Sequence, residues 1–189
     1  MLDNEPTHRA PAGPDSPSSP AGSGSTPTEH EGQPFRILFV CTGNTCRSPL
    51  AEVITRKRVA QRGWSGVEVR SAGVSAAAGS PASPGSVKAA AAHGLDLSGH
   101  RSAGLDEAQV ARADLVLTMS AAHSDVVATV GGGRRVAVIT AFAEGEDDGA
   151  ARSVPDPFGG DDAAYEAAYQ ELSRLVELVL DRLAPVVSP

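Results

Sequence analysis

The alternation of strand-like and helix-like segments constrains the fold of this chain more than any other feature of its sequence. Residues 35–41, FRILFVC, form a nearly continuous apolar run, which is typical of a strand buried on both faces. Three more strand-like segments lie at 67–72, 114–119 and 135–140, with helix-like segments between them. Strands that alternate with helices predict an α/β domain with a parallel sheet and right-handed crossovers.

The predicted helices show characteristic start signals and apolar spacing. Ser48-Pro49 and Ser83-Pro84 each combine a favourable N-cap residue with a proline that suits the first helical turn. The Gly- and acid-rich segment 141–160 is predicted to be a loop. The helices are predicted at 48–63, 84–94, 107–112, 121–130 and 162–183.

The first 34 residues differ in composition from the rest of the chain. They hold 7 of the 14 prolines and almost no large apolar side chain. Such a segment cannot bury enough surface to offset the entropy that is lost on ordering. We therefore expect a disordered leader at 1–34, a folded domain at 35–184 and a C-terminal tail at 185–189.

Charge and cysteine content exclude several classes of protein. The net charge of −7 disfavours a general nucleic-acid binder, because such proteins neutralise phosphates with clustered Lys and Arg. Two cysteines exclude a disulfide-stapled scaffold and a four-cysteine zinc site. The sequence has no apolar run of transmembrane length and no secretory signal. We expect a cytoplasmic protein that binds neither nucleic acid nor membrane.

The loop after the first strand, CTGNTCRS at 41–48, carries the chemistry. Gly43 and Asn44 tolerate the left-handed backbone that lets successive N–H groups turn inward, and such a nest at a helix N-terminus binds phosphate-like anions. Arg47 can clamp two oxygens of the anion, and the same positive field favours a nucleophilic thiolate at Cys41. The residues expected to bind the phosphate are Thr42, Gly43, Asn44, Thr45, Cys46, Arg47 and Ser48.

Four blocks of the sequence resemble the low-molecular-weight protein tyrosine phosphatases. They are ILFVCTGNTCRSPLAE at 37–52, SAG at 71–73, ADLVL at 113–117 and DPFGG at 156–160. The resemblance extends over 35–184. It implies a three-layer α/β/α domain with a four-stranded parallel sheet in the order 2-1-3-4 and a phosphate-binding loop after the first strand. It also implies a cysteine-dependent phosphatase that works as a monomer on phosphorylated proteins.

The same resemblance assigns the general acid. A phosphoryl transfer to Cys41 leaves a departing group that needs a proton. By resemblance, Asp156 protonates this group and then activates the water that hydrolyses the phosphocysteine. Pro155 and Pro157 would stiffen the acid loop and fix the direction of the carboxyl group. No metal or other cofactor is required, because the loop and its arginine supply the positive charge.

One histidine has an expected place beside the phosphate loop. By resemblance, His100 braces the loop through Asn44 and Ser48, although a surface position or a local hydrogen bond is an open alternative for it. His93 and His123 are predicted to lie on helix surfaces.

Two positions bear on the substrate. Tyrosine-specific members of the family usually carry a bulky aliphatic residue where this chain has Thr45, and this chain follows its acid with Phe158 and two glycines. In both respects it resembles the bacterial protein-arginine-phosphatase branch. A threonine hydroxyl at the mouth of the site suits a guanidinium better than a flat apolar ring. Phosphoarginine is therefore the favoured substrate, and phosphotyrosine is the alternative.

Two more distant functions differ from these in class. Thioredoxin-coupled arsenate reductases relay oxidation through further cysteines, and this chain has none after Cys46. A reductase that depends on a small thiol cofactor stays open. A non-catalytic phosphate-binding module would not need Cys41, Arg47 and Asp156 together.

Cys46 allows a prediction about oxidation. It either captures an oxidised Cys41 as a reversible disulfide or simply packs beneath the loop. If it captures the oxidised sulfur, mass spectrometry after mild peroxide treatment will find a bridge between residues 41 and 46. Sulfonic acid at Cys41 without a bridge would refute this protective role.

Overall fold

The computed structural model of the chain describes residues 33–132, 135–147 and 151–187. Within these ranges four strands form one parallel sheet in the order β2-β1-β3-β4. The predicted fold class and strand order are confirmed, whereas the predicted leader lies outside the described residues apart from its last two positions. The strands are β1 (Phe35–Cys41), β2 (Val67–Gly73), β3 (Leu115–Thr118) and β4 (Val136–Val138). The helices are α1 (Arg47–Gln61), α2 (Pro84–Ala92), α3 (Glu107–Arg112), α4 (Ala121–Thr129), α5 (Ile139–Glu144) and α6 (Asp162–Val187).

The apolar run of β1 is explained by its position between β2 and β3, where helices cover both faces. Successive side chains of a strand point to opposite faces. Ile37 and Phe39 join the large cluster that contains residues of α1 and α6. Leu38 and Val40 join a smaller cluster that contains residues of α3 and α4. The loop after β1 therefore begins at the carboxyl end of a central strand, which is where ligands bind in open α/β folds.

Only one of the two predicted serine caps is found. Ser83 caps α2 by accepting a hydrogen bond from the backbone N–H of Ser86, at 3.4 Å. The prediction for Ser48 is wrong, because α1 begins at Arg47 and Cys46 occupies its N-cap position without a side-chain bond. Ser48 lies inside the first turn and is fully buried, and its hydroxyl contacts Cys41 and Asn44 of the phosphate loop.

The predicted strand at 135–140 is too long, and the predicted loop at 141–160 begins too early. β4 ends at Val138, and the next six residues form α5. This helix buries Ile139 and then ends at Gly145, whose φ of 75° allows the left-handed closing turn. An apolar run such as VAVITAFA does not distinguish a strand from a buried helix.

The last helix continues three residues beyond the predicted domain end at 184. Ala184 and Val187 pack against the main core, which extends α6 past the internal Pro185. The predicted tail is thus helical as far as it is described, and residues 188–189 lie outside the described ranges. None of the helices in the described ranges has the length and apolar character needed to span a membrane.

Candidate active site

The backbone of the loop between β1 and α1 turns its carbonyl groups outward. Three of these carbonyl oxygens, those of Cys41, Thr42 and Thr45, each accept a hydrogen bond from a neighbouring segment. In a planar trans peptide the N–H points opposite to the C=O, so the following N–H groups face the inside of the loop. This arrangement creates a concave nest for an anion at the N-terminus of α1. The anchoring bonds run from Val74 N to Cys41 O (3.0 Å), from Ser75 N to Thr42 O (2.9 Å) and from Ser83 N to Thr45 O (2.9 Å).

Asn44 fixes the sharpest turn of this loop. It is fully buried and has a φ of 53°, in the left-handed region. Its side-chain Nδ2 donates to Ser48 Oγ and to Ser71 Oγ, both at 2.9 Å, and its Oδ1 accepts from the N–H of Ala103 at 2.9 Å. Its main-chain oxygen accepts from His100 Nε2 at 2.7 Å. The hydrogen-bonding groups of Asn44 are thereby committed to holding the loop in shape.

The Cys41 sulfur lies at the base of the loop and is 2% exposed at the residue level. Its Sγ is 3.0 Å from Ser48 Oγ. The Ser48 oxygen accepts a hydrogen bond from Asn44, so its single proton can be donated either to the sulfur or to the carbonyl oxygen of Ala72, which lies 3.3 Å away. The geometry therefore provides a hydroxyl that can stabilise a thiolate at Cys41.

Arg47 closes the loop and is itself buried. Its Nη1 donates to the carbonyl oxygen of Val154 at 3.2 Å. Its Nη2 forms an ion pair with Asp156 and lies 3.4 Å from Thr42 Oγ1. Its Nε is buried and has no hydrogen-bond partner among the described residues. A buried N–H without a partner is costly, so this group suits an anionic ligand.

The loop that carries Asp156 is anchored at its base. The N–H of Val154 donates to Met119 O at the end of β3, at 2.9 Å. One carboxylate oxygen of Asp156 accepts from the N–H of Phe158 at 3.2 Å, and the other pairs with Arg47. The structure thus pairs Asp156 with Arg47 of the phosphate loop, and Cys41 lies at the start of the same loop.

The predictions for three histidines had different outcomes. His100 contacts the main chain of Asn44, so it is adjacent to the loop. The prediction for His123 is wrong, because this residue is buried and its Nε2 lies 2.9 Å from Thr42 Oγ1. His93 is also not a simple surface residue, since it stacks on Tyr169 at 3.8 Å between ring centroids.

His123 could have been found from its place in the chain. It lies three residues after the N-cap Ser120, in the helix that follows β3, and this helix begins at the same edge of the sheet as the phosphate loop. Burial, together with the charge of Arg47, lowers the pKa of His123, while Asp156 raises it. The ring is therefore neutral at neutral pH.

The two candidate specificity residues lie in different environments. Thr45 is half-buried in the loop, whereas Phe158 is 75% exposed at the tip of the acid loop. Cys46 is buried beneath the loop, where its thiol donates to Ser83 Oγ at 3.2 Å and lies 4.0 Å from Tyr165 Oη. Both cysteines are free thiols, and the bridge between them stays a prediction. In the described ranges no group of three or more His, Cys, Asp or Glu residues could hold a metal ion.

Comparison with known proteins identifies the family of this chain. Residues 36–187 match the family described as low molecular weight phosphotyrosine protein phosphatase. The chain belongs to this family. Among its relatives is a protein-arginine-phosphatase of Geobacillus stearothermophilus, 38% identical over 79% of this chain and 97% of that protein. Another relative is a probable low molecular weight protein-tyrosine-phosphatase, EpsP, of Ralstonia nicotianae, 35% identical over 78% of this chain and 94% of that protein.

Solved structures of the phosphatase family have the same fold. One is the YwlE arginine phosphatase in which the active-site cysteine is replaced by a serine that carries a phosphoryl group. It superposes with a TM-score of 0.73 and 35% sequence identity, covering 80% of this chain and 97% of that chain. The relatives establish that this member of the family is a protein phosphatase.

Gly73 provides a test of the loop geometry. A Cβ at this position would lie 2.6 Å from Thr42 O and 2.8 Å from Asn44 N, both backbone atoms that cannot move without deforming the loop. We expect Gly73→Ala to weaken binding of inorganic phosphate by about tenfold or more, a loss of ~1.4 kcal/mol, as measured by calorimetry. Gly104→Ala is the matched control, because its Cβ would meet nothing within 4 Å and it forms an isolated bridge with Gly73. Unchanged phosphate affinity in Gly73→Ala would contradict the close approach.

Proposed function

We propose that this phosphatase hydrolyses phosphorylated protein side chains through a phosphocysteine at Cys41, with phosphoarginine as the favoured substrate. The observation that carries the proposal is the buried Cys41–Ser48 contact inside a nest closed by Arg47, with Asp156 attached to the same guanidinium. A thiol in a nest of N–H groups is suited to attack on phosphorus, because the loop binds the oxygens while the sulfur faces the reacting atom.

In the first step the Cys41 thiolate attacks the phosphorus atom. The S–P bond forms as the bond between phosphorus and the leaving oxygen or nitrogen breaks. The inward N–H groups and Arg47 stabilise the negative charge on the phosphoryl oxygens. Asp156, which has exchanged Arg47 for the substrate, delivers a proton to the leaving group.

In the second step the Asp156 carboxylate accepts a proton from water, and the water oxygen attacks the phosphocysteine. The S–P bond breaks and Cys41 leaves as a thiolate, to which Ser48 donates a hydrogen bond. The phosphorylated active-site serine of the YwlE variant supports a phosphoenzyme intermediate for this chain as well.

Replacement of the nucleophile tests this mechanism. We expect Cys41→Ser to retain phosphate binding within about threefold, because the nest is built from backbone groups and Arg47. Turnover should disappear, since a serine is a poor nucleophile without a neighbouring base and a poor leaving group. Steady-state assays and calorimetry check the two parts separately. Residual activity above a few per cent of wild type would remove Cys41 from its proposed role.

The preference for phosphoarginine rests on Thr45 and on the geometry around it. Phosphoarginine presents a polar, branched guanidinium next to phosphorus, and phosphotyrosine presents a flat apolar ring. Thr45 is half-buried, so its hydroxyl adds polarity at the rim of the loop. Thr45 also offers less apolar surface than an aliphatic residue would at this position, and this difference favours a polar leaving group over an apolar ring. The relatives include both arginine and tyrosine phosphatases, so their names leave the choice open.

Phosphotyrosine is the second candidate, because the exposed Phe158 also suits an aromatic substrate. This ring is 75% exposed next to the proposed acid, where it could pack against an aromatic substrate side chain. Phe158 could equally bind a guanidinium group, because a cation stacks favourably on an aromatic face. The residue therefore supports a side chain of either kind beside the phosphoryl group.

A paired substrate assay decides between the two candidates. We expect one peptide sequence carrying phosphoarginine to be turned over with a higher kcat/KM than the same sequence carrying phosphotyrosine. Thr45→Ile should reduce the ratio of these kcat/KM values by about tenfold, the size of effect of one methylene-scale change in a pocket. Thr45→Ser, which retains the hydroxyl, is the matched control.

A tyrosine preference in the wild type would overturn the proposed substrate and leave the phosphatase chemistry in place. Absence of turnover with both peptides would contradict the proposed function, and arsenate-dependent thiol consumption would then test for an arsenate reductase. Capture of phosphopeptide without turnover would indicate a binding module.

A further inference from the structure

The strongest unassigned feature near the site is the buried imidazole of His123. It lies in the first turn of α4, and both of its ring nitrogens have hydroxyl partners at 2.9 Å: Nδ1 contacts Ser120 Oγ and Nε2 contacts Thr42 Oγ1. Since the residue is 7% exposed, water does not easily replace these partners. Because a buried polar ring needs hydrogen-bond partners, these two contacts fix the position of the imidazole.

The ring connects the proposed phosphate loop to the end of β3. A neutral imidazole donates one hydrogen bond through its N–H and accepts one from a hydroxyl at its other nitrogen, so in either tautomer it joins Ser120 to Thr42. Ser120 is fixed independently as the N-cap of α4. The Thr42 side chain, which is otherwise exposed on the loop, is thereby held from outside the loop.

Thr42, held in this way by His123, in turn contacts Arg47. Its Oγ1 lies 3.4 Å from Arg47 Nη2, the nitrogen that also pairs with Asp156. Arg47 Nη1 is held separately by the carbonyl of Val154. The plane of the guanidinium group is thus fixed at two nitrogens, and its Nε remains for a ligand. A planar fork binds two oxygens well only when its orientation is fixed.

We propose that His123 is a positioning residue that acts through Thr42 to orient Arg47 for the phosphoryl group. This inference rests on the proposed function, because it concerns the same anion site. It adds a residue from α4 to a site that the phosphate loop and the acid loop otherwise build. His123 touches neither the phosphorus nor the leaving group, so its effect is on binding of the phosphoryl oxygens in both the substrate and the transition state.

Two substitutions at position 123 separate the two ring nitrogens. The amide of asparagine reaches the place of Nδ1, so His123→Asn retains the contact with Ser120 and loses the contact with Thr42. The longer glutamine side chain reaches the place of Nε2, so His123→Gln retains the contact with Thr42. A merely structural role in α4 would make the two variants behave alike or favour asparagine.

The experiment measures binding of inorganic phosphate by calorimetry and kcat/KM with an aryl phosphate. We expect His123→Asn and Thr42→Val each to weaken phosphate binding and to lower kcat/KM by about tenfold. His123→Gln and Thr42→Ser should stay within about threefold of wild type, because they retain the hydrogen bond. The double variant His123→Asn/Thr42→Val should be no worse than either single variant, since both remove one link. His93→Asn is the control, as His93 directly follows α2 and hydrogen-bonds Glu166.

Additive losses in the double variant, or equal losses in the asparagine and glutamine variants, would overturn the inference. If His123→Asn does not fold, the exposed Thr42 tests the same link, and wild-type phosphate affinity in Thr42→Val would overturn it. Failure of the wild-type protein to bind phosphate would instead overturn the proposed function and this inference with it. A loss of phosphoarginine preference alone would leave the inference intact.

Discussion

The left-handed turn at Asn44 is the constraint on which the rest of the site depends. A residue other than glycine held in a sparsely populated backbone region costs about 1–3 kcal/mol, so the conformation persists only where its surroundings enforce it. Here three segments do so: β2 through Ser71, the connection between α2 and α3 through His100 and Ala103, and α1 through Ser48. The turn exposes the N–H groups of the loop to an anion, and the same side chain orients the hydroxyl beside Cys41.

The support for Asn44 extends into the interior of the domain. Ser71 accepts from Asn44 and donates to the carboxylate of Glu52, which also forms an ion pair with Arg56 one turn later in α1. Glu52 is only 9% exposed, and a buried carboxylate is tolerated when it is paired and hydrogen-bonded. The polar chain therefore fixes α1 against β2 at the point where both meet the phosphate loop. Gly73, at the end of β2, lets the loop approach the sheet closely enough for these contacts.

The sequence predicts those parts of the site that depend on local pattern. The strand at 35–41 and the loop that follows it are each encoded within a few neighbouring residues, whereas the acid role of Asp156 is implied only by the family resemblance and not by its Asp-Pro turn. His123 was wrongly placed on a helix surface, and Ser48 was wrongly predicted to cap α1, because both outcomes depend on what the fold brings beside the residue. A serine before a proline has the same local signature whether it caps a helix or faces a thiol, and a histidine in an amphipathic helix does not reveal its partner. The helix at 139–144 was missed for a related reason. Its apolar run is compatible with a strand or with a buried helix, and the choice depends on how Ile139 and Ala143 pack into the main core.

The ion pair between Arg47 and Asp156 connects binding with catalysis in the proposed mechanism. One guanidinium serves two anions, the carboxylate and the phosphoryl group, and it cannot bind both with its full set of donors. A phosphoryl dianion carries more charge than the carboxylate and fits the nest of N–H groups as well, so it is the stronger partner. Once phosphoryl oxygens replace the carboxylate of Asp156 as partners of Arg47, Asp156 is left beside a phosphoryl group without its counter-charge. In the proposed mechanism a phosphoryl group therefore releases Asp156 from Arg47, so that its carboxyl group can face the leaving group, whereas a ligand too weakly charged to take Arg47 from Asp156 leaves the ion pair in place.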